Sequence, residues 1–395
     1  MRYILAILLV GSTLLVCSQN ASNRVVLGNE KLEEYLPFLE EKRVAIVGNH
    51  TSVIKADINN THTHLVDTLL TLEVDVVKAF APEHGFRGKQ ANGAQIFDGV
   101  DPETGLTILS LHGKHKKPFP ESLYDIDVIV FDIQDVGARF YTYLSTLLLV
   151  MEAAAENGVK IILLDRPNPH CHHVKGPMLN PMFKSFVGHA PVPVIHGMTL
   201  GEIAQMANGE GWLMGGIKAD LEVIKCSGYT RSTKYSLPIA PSPNLPSDQS
   251  IALYPSLCFF EPTTVSIGRG TPNPFEIVGY PSNPSGNFTF TPASTPGASP
   301  NPKHKNKLCH GEDLSNLETT WDLSILHGYA NKFRVENGSL EGFFTSTSFF
   351  DKLAGTNKLR LSLEDGLSLE EIEETWKDEI DEFKIAREPY LLYPQ

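Results

Sequence analysis

The stretch Val128-Ile129-Val130-Phe131-Asp132-Ile133-Gln134-Asp135 places four apolar, mostly β-branched residues directly before a polar cluster. Four further apolar runs follow this pattern, separated by helix-like segments, and they lie at residues 44–47, 74–81, 106–111 and 161–164. Runs that are apolar on both faces and alternate with helices indicate a parallel sheet covered on both sides. The sequence therefore predicts an α/β fold for this part of the chain.

The polar residues that follow these runs are the first candidates for a functional site. In open parallel sheets the carboxyl ends of the strands meet at one edge, and ligands bind there. We therefore expect the following side chains to gather at that edge: Asn49, His50, Glu83, His84, Arg87, Asp132, Gln134, Asp135, Asp165, Arg166 and Asn168.

After Pro169 the alternation of apolar runs with helix-like segments ends. We place the parallel-sheet domain at residues 24–175 and a smaller α+β domain at 176–395. In the second part, capping boxes at Thr199/Glu202 and Ser368/Glu371 predict helix starts. Residues 283–307 are dense in Pro, Ser, Thr and Asn, which predicts a long loop.

Composition excludes two classes of protein. The chain has 395 residues, of which 42% are hydrophobic and 20% are charged, so it is not a disordered protein. Its formal net charge of −13 would repel a polyanion, so we expect no nucleic-acid partner.

The N-terminus predicts export. Residues 1–18 combine a short basic start with an apolar core that is shorter than the ~20 residues of a spanning helix, as in a secretory signal peptide. Acylation of Cys17 is the alternative, but Val16 is a poor residue before a lipoprotein cysteine. No later segment reaches spanning length. We therefore expect an exported, periplasmic or secreted protein with no membrane span.

The remaining motifs argue against metal, cofactor and nucleophile chemistry. Cys171, Cys226, Cys258 and Cys309 permit one or two disulfides in three possible pairings, and none lies in a CxxC spacing. Neighbouring histidines such as those at 170–173 seldom converge on one ion, and no HExxH is present. The sequence has no GxGxxG, no P-loop and no GxSxG. We expect neither a metal nor a cofactor.

Glu83 is the acidic residue whose surroundings suggest chemistry. It lies between Pro82 and His84 on a turn that Gly85 bounds, where partial shielding from water would help a carboxyl keep its proton. The equal alternative is that Glu83 caps the following segment.

Seven blocks of sequence together resemble a known family. They are APEHGFRG at 81–88, FDIQDVGARFYTY at 131–143, LDRPNP at 164–169, HGMT at 196–199, PSPNLP at 241–246, SIGRGT at 266–271 with PFE at 274–276, and DKLAG at 351–355. In this order they resemble the exo-β-N-acetylmuramidase (NamZ-type) glycoside hydrolases, formerly a domain of unknown function. The resemblance runs from about Gly28 to the C-terminus.

The resemblance implies a glycosidase that releases N-acetylmuramic acid from the non-reducing ends of peptidoglycan fragments. It also implies a Rossmann-like domain and a smaller second domain with the active cleft between them. Two features depart from the family pattern: Pro262, where relatives often carry Gly, and the insert at 283–307.

Residue roles follow as hypotheses from this activity. Glycoside hydrolysis usually needs two carboxyl groups. We assign Glu83 as general acid and favour Asp132 as its partner over Glu261 or Glu276. Arg269 is the first candidate to bind the lactyl carboxylate of muramic acid, with Arg87 and Arg139 as alternatives. The remaining candidates for substrate binding are His84, Gln134, Tyr141, Asn168, His196, Asn244 and Glu276.

Two other functions remain open on sequence. A non-catalytic envelope protein that binds saccharides would share the arginine pocket and the aromatic residues. A muropeptide amidase would instead need a metal or a nucleophile. Retaining and inverting chemistry differ in carboxyl separation, about 5–5.5 Å against about 6.5–9.5 Å, which sequence does not fix.

Overall fold

A computed structural model describes residues 24–55, 62–83, 85–87, 98–283 and 286–395. The strands are β1 (Val44–Gly48), β2 (Val53–Lys55), β3 (His62–His64), β4 (Val76–Ala81), β5 (Gly99–Val100), β6 (Thr107–Ser110), β7 (Val128–Asp132), β8 (Lys160–Leu164), β9 (Lys175–Met178), β10 (Pro193–Ile195), β11 (Leu221–Ile224), β12 (Ile277–Tyr280), β13 (Phe288–Phe290) and β14 (Cys309–Asp313). The α-helices are α1 (Leu32–Tyr35), α2 (Leu65–Thr71), α3 (Pro120–Leu123), α4 (Tyr143–Asn157), α5 (Leu200–Gly209), α6 (Asp248–Leu257), α7 (Leu323–Asn337), α8 (Thr347–Ala354), α9 (Lys358–Asp365), α10 (Leu369–Glu374) and α11 (Lys377–Arg387).

The first unit is built on a seven-stranded sheet with the strand order β11-β8-β7-β1-β4-β6-β5. All neighbouring pairs are parallel except β5 and β6. The chain moves outward from β1 through β4 to β6, then returns to the other side of β1 and continues through β7 to β11. This reversal between β1 and β7 is the Rossmann-type switch point, so the predicted fold class is confirmed.

The strands form because both of their faces are covered. All five residues of β1 and of β7 are buried, and Gly48 at the end of β1 lies opposite Asp132 at the end of β7. Helix α4, which ends at the left-handed Gly158, buries most of its length against one face. The other face packs around Tyr35, Leu65 and Leu69.

The second unit is smaller and contains both strands and helices. An antiparallel sheet in the order β12-β14-β13 lies with helices α6 to α11. The capping boxes of Thr199/Glu202 and Ser368/Glu371 both form. The predicted loop at 283–307 differs from expectation because Phe288–Phe290 pairs with β14 as a strand.

The domain boundary needs a correction. We expected the parallel-sheet domain to end at residue 175, but β11 at 221–224 pairs with β8 and forms the edge of the same sheet. The chain end also returns to this unit, where the Tyr393 hydroxyl donates a hydrogen bond of 2.6 Å to Asp165. The parallel-sheet unit therefore uses residues well beyond 175.

Cysteines and membrane segments complete the description. Cys171, Cys226, Cys258 and Cys309 are buried free thiols, so none of the pairings that the sequence permits is formed among them. Over the described residues, no helix has the length and apolar character to cross a membrane. The predicted signal peptide at 1–18 and Cys17 lie outside the described residues.

Candidate active site

A cavity of about 230 Å³ lies where the two units meet. The first unit contributes Glu83, two residues after β4, and the segment that leads into α4. The second unit contributes α6, the turn after it, and α8. The lining residues are Glu83, Phe140, Tyr141, Thr142, Tyr143, Val187, Ser242, Asn244, Leu245, Tyr254, Cys258, Glu261, Arg269, Phe275, Phe349 and Leu353.

Glu83 enters the cavity from the end of β4. The Thr142 hydroxyl donates to Glu83 Oε2 at 3.0 Å, and the Tyr143 hydroxyl donates to the Glu83 backbone carbonyl at 3.3 Å. Asn49 holds Tyr143 in turn by donating to its hydroxyl oxygen at 2.9 Å. Glu83 is half-buried and fixed at both its backbone and its carboxyl.

Two tyrosines form the wall beside Glu83. The rings of Tyr141 and Tyr143 pack edge to face at 4.9 Å, and the Tyr141 hydroxyl donates to the Pro241 carbonyl at 2.8 Å. Burial, together with the neighbouring Glu83 charge, raises the pKa of Tyr143. Both rings therefore act as neutral hydrogen-bonding and packing groups.

An ion pair from the second unit faces the same cavity. Arg269 donates from Nε and Nη2 to Glu261 Oε1, at 2.8 and 2.5 Å. The ring of Phe275 lies 5.0 Å from the guanidinium carbon, close enough for a cation–π contact. Phe275 has φ 60°, an unusual conformation for a bulky residue, and is fully buried. Arg269 is thus held by a carboxylate and an aromatic ring.

The structure brings only part of the predicted site together. Of the residues we assigned, Glu83, Tyr141, Asn244 and Arg269 line the cavity. His84 lies outside the described residues. The assigned residues that do not line it are Arg87, Asp132, Gln134, Arg139, Asn168, His196 and Glu276.

Asp132 does not fit its assigned role as the second carboxylate. It is fully buried and accepts from Arg166 Nε and Nη2 at 2.5 and 3.0 Å, and from Asn29 Nδ2 at 2.9 Å. Both carboxylate oxygens are therefore engaged by protein donors, away from the cavity. Glu261, the partner we had ranked lower, is the carboxylate that lines the cavity with Glu83.

The alternative arginines are also engaged by the protein. Arg87 contacts Asp67 and Asp101, with its shortest bond, of 2.7 Å, to Asp101. Arg139 is fully buried and donates to the backbone carbonyls of Pro177, Val192 and Leu353 at 2.8 to 2.9 Å. Arg269 is therefore the described cation that faces the cavity.

The other displaced candidates have structural partners. Gln134 donates to Pro167 O at 2.8 Å, and Asn168 donates to Met198 O at 2.8 Å. His196 is fully buried, and burial lowers its pKa to about 3, so it is a neutral packing residue. Glu276 accepts a hydrogen bond from Ser247, the residue that caps α6.

Sequence reasoning missed several aromatic residues of the cavity, notably Tyr254, Phe275 and Phe349. Phe275 stood in a motif block without a role, because its strained backbone is not visible in a sequence. No cluster of three or more His, Cys, Asp or Glu within the described ranges is arranged to hold a metal.

Comparison with known proteins agrees with this two-part construction. The models of the N-terminal and C-terminal parts of exo-β-N-acetylmuramidase NamZ match residues 44–249 and 252–393. The peptidoglycan β-N-acetylmuramidase NamZ of Bacillus subtilis (strain 168) is 38% identical over 382 residues, which cover 92% of this chain and 89% of that protein.

Two solved structures of DUF1343 family proteins from Bacteroides fragilis NCTC 9343 share the fold. One has a TM-score of 0.84 at 45% identity, and the other a TM-score of 0.82 at 28% identity. Each match covers 94% of this chain and 99% of the other chain. The resemblance identified in the sequence is thereby confirmed, and the chain belongs to the exo-β-N-acetylmuramidase NamZ family.

Proposed function

We propose that this protein is an exo-acting glycoside hydrolase that releases N-acetylmuramic acid from the non-reducing ends of peptidoglycan fragments. The observation that carries the proposal is one cavity that holds two carboxylates, Glu83 and Glu261, beside one arginine, Arg269. Its volume of about 230 Å³ suits a single terminal sugar rather than a chain passing through. Family membership supports the same activity.

Glu83 acts as general acid in this proposal, and Glu261 is the second carboxylate. Cleavage passes through an oxocarbenium-like transition state, in which one carboxyl protonates the leaving oxygen and the other carboxylate assists attack at the anomeric carbon. Glu83 comes from the parallel-sheet unit and Glu261 from the second unit, so the pair is assembled where the two units meet.

The experiment that tests the activity is hydrolysis of an aryl glycoside of N-acetylmuramic acid, with and without a chelator. We expect chelator-resistant turnover in the wild type and a loss of about 100-fold or more in kcat for Glu83→Gln, which keeps the shape but has no proton to transfer. The matched control is Glu276→Gln, whose carboxylate does not line the cavity and accepts from Ser247, the residue that caps α6.

Two results would contradict this assignment. Near-normal turnover of Glu83→Gln on a glycoside with a poor leaving group would exclude Glu83 as the acid. Saturable binding without turnover of the glycoside in the wild type would exclude the hydrolase and select the saccharide-binding protein.

Arg269 is our candidate for binding the lactyl carboxylate that distinguishes muramic acid from N-acetylglucosamine. A guanidinium binds carboxylates in a bidentate manner, and Arg269 uses Nε and Nη2 for Glu261 within the cavity. We expect Arg269→Lys to lower kcat/KM for the muramic acid glycoside by about 10-fold or more. Turnover of the matching N-acetylglucosamine glycoside serves as the reference, and an unchanged ratio of the two would refute this role.

The place of action is a further part of the proposal. The signal-peptide pattern of residues 1–18 supports export to the periplasm or the medium, where wall fragments are released. Fractionation of the producing cells checks this, and a cytoplasmic pool alone would contradict it.

A further inference from the structure

The loop of residues 291–307 runs behind the cavity wall that the second unit provides. Asn244 Nδ2 donates to the Ala298 carbonyl at 3.0 Å, and Ala293 N donates to the Gly270 carbonyl at 2.8 Å. Asn244 lines the cavity, and Gly270 follows Arg269 directly. The loop therefore supports the cavity from outside without contributing a lining residue.

Lys303 binds this loop to the cavity wall through several hydrogen bonds. Its ammonium is surrounded by backbone carbonyls of the turn that follows α6, at 2.9 Å from Phe260 O, 3.2 Å from Glu261 O and 2.8 Å from Val265 O. The carbonyl of Thr263 also accepts from it. An ammonium has three N–H donors and no preferred plane, so it can serve such a ring of carbonyls.

The neighbouring residue makes the same kind of contact. His304 Nε2 lies 2.6 Å from the Thr264 carbonyl, and His304 itself has φ 56°. Lys303 and His304 together engage the carbonyls of residues 260, 261, 263, 264 and 265. The loop therefore binds every backbone carbonyl of the turn at residues 260–265 except that of Pro262.

One of these carbonyls lies at the end of a helix. Helix α6 is followed by a 3₁₀ helix at Cys258–Phe260, and Phe260 O accepts from Thr263 N at 3.0 Å and from Thr263 Oγ1 at 2.9 Å as well as from Lys303. A buried carbonyl without a donor costs stability, and a cation at a helix C-terminus is favourable. Lys303 therefore caps this end, but capping alone does not explain its location.

The turn that Lys303 binds also carries a charged side chain of the cavity, Glu261. Glu261, whose own backbone carbonyl accepts from Lys303, directs its carboxylate into the cavity and binds Arg269. Movement of the turn would displace Glu261 and, through the ion pair, Arg269. The position of both charged groups is thus coupled to one ammonium outside the cavity.

We propose that Lys303 is a positioning residue for this active site, which fixes the 260–265 turn so that Glu261 and Arg269 meet the sugar in the correct geometry. This inference rests on the proposed function. It assigns a role to the 283–307 insert, in which the sequence showed only a loop.

The first test compares Lys303→Met with Lys305→Met. Lys305 lies on the same loop and is exposed, and its ammonium donates to Pro300 O and Asn301 Oδ1 of the loop itself, at 3.2 and 3.4 Å. We expect kcat/KM for the muramic acid glycoside to fall about 10- to 100-fold in Lys303→Met, because small misplacement of reacting groups has effects of this size. Lys305→Met should keep the wild-type value.

A double-mutant cycle separates positioning from general stability. The dissociation constant of N-acetylmuramic acid is measured by calorimetry for the wild type, Lys303→Met, Glu261→Gln and the double variant. If Lys303 acts through Glu261, we expect the lysine change to weaken binding about 10-fold in the wild type and less than about threefold in the Glu261→Gln background. Equal weakening in both backgrounds would overturn the proposal.

A second variant covers the case in which Lys303→Met does not fold. Lys303→Arg keeps the charge that caps the helix end, but its planar fork does not match a ring of carbonyls. We expect it to melt within a few degrees of the wild type and still to show the Glu261-dependent loss of binding. If the wild type shows no turnover, the proposed function is refuted. If the wild type and the Lys303 variants are equally active, only the role of Lys303 is refuted.

Discussion

Asp132 and Asp135 are two buried carboxyl groups, three residues apart, in opposite surroundings. Asp132 accepts from two nitrogens of Arg166 and from Asn29. Asp135 Oδ2 accepts from Gly137 N at 2.6 Å, whereas its Oδ1 has no hydrogen-bond partner among the described residues. Burial raises the pKa of Asp135 to about 7. Asp132 therefore has a buried cation as its partner, whereas Asp135 is buried at a cost when it is charged.

We expect Asn to stabilise the protein at position 135 and to destabilise it at position 132. A folded pKa above the unfolded value gives stability at low pH that is lost as pH rises towards 7. Asp135→Asn should therefore raise the free energy of unfolding at pH 8 by on the order of 2 kcal/mol and should have little effect near pH 4. Asp132→Asn leaves Arg166 buried without its counter-charge and should cost about 3–5 kcal/mol.

Urea unfolding of the two variants and the wild type at pH 4 and pH 8 measures both effects. A loss of stability in Asp135→Asn at pH 8 would mean that this carboxylate is charged and stabilised in the native state. The prediction for Asp132 fails if its variant unfolds at the wild-type urea concentration.

At the scale of elements, the strands were predictable and the roles of their terminal residues were not. The runs at 44–47 and 128–131 became β1 and β7 because both faces of each strand are buried. Asp132 is the last residue of β7 and Glu83 lies two residues after β4, yet only Glu83 lines the cavity. The difference lies in Arg166, which follows the neighbouring strand β8 and occupies the space in front of Asp132. Which side chain fills such a space depends on neighbours in the sheet, and strand patterns do not encode it.

The glycines around Arg269 show a second limit of pattern reasoning. Gly268 and Gly270 flank Arg269, the first candidate to bind the lactyl carboxylate. Both have a positive φ, of 75° and 81°, and a Cβ on them would lie 2.6 Å from Asn273 O and 2.5 Å from Ala293 O. Because these two residues have no side chain, other parts of the protein backbone can pack against them. The glycines are therefore required by the turn that carries Arg269 and not by the sugar.

At the scale of the whole molecule, the site depends on contacts between distant parts of the chain. Residues 83 and 140–143 meet 254–275 and 349–353 in one cavity. The family blocks contain many of these residues, which is why the resemblance located the site. The aromatic residues on α6 and α8 were missed because nothing local distinguishes a cavity wall from a core.

The C-terminal segment is a further long-range contact, and it closes the second unit onto the first. The Tyr393 hydroxyl donates to Asp165 at 2.6 Å and accepts from Cys226 N at 3.0 Å. Leu392 N donates to Glu202 at 2.7 Å, and the Pro394 carbonyl accepts from Arg231 N at 2.9 Å. The last residues therefore connect to α5 and to the segment after β8, and none of these residues lines the cavity.

We expect deletion of residues 392–395 to lower the free energy of unfolding by about 3 kcal/mol or more, because it removes a buried ring and its hydrogen bonds. Tyr393→Phe, which removes only the hydroxyl, should cost about 1–3 kcal/mol, since Asp165 and Cys226 N each lose a partner in the interior. Neither change touches the cavity, so KM for the muramic acid glycoside should stay at the wild-type value wherever the variant is folded. Removal of Gln395 alone is the control, and thermal melting with kinetics below the melting temperature provides both measurements. A truncated protein with wild-type stability would show that the two units hold together without their C-terminal link, and an altered KM would show that this link also shapes the cavity.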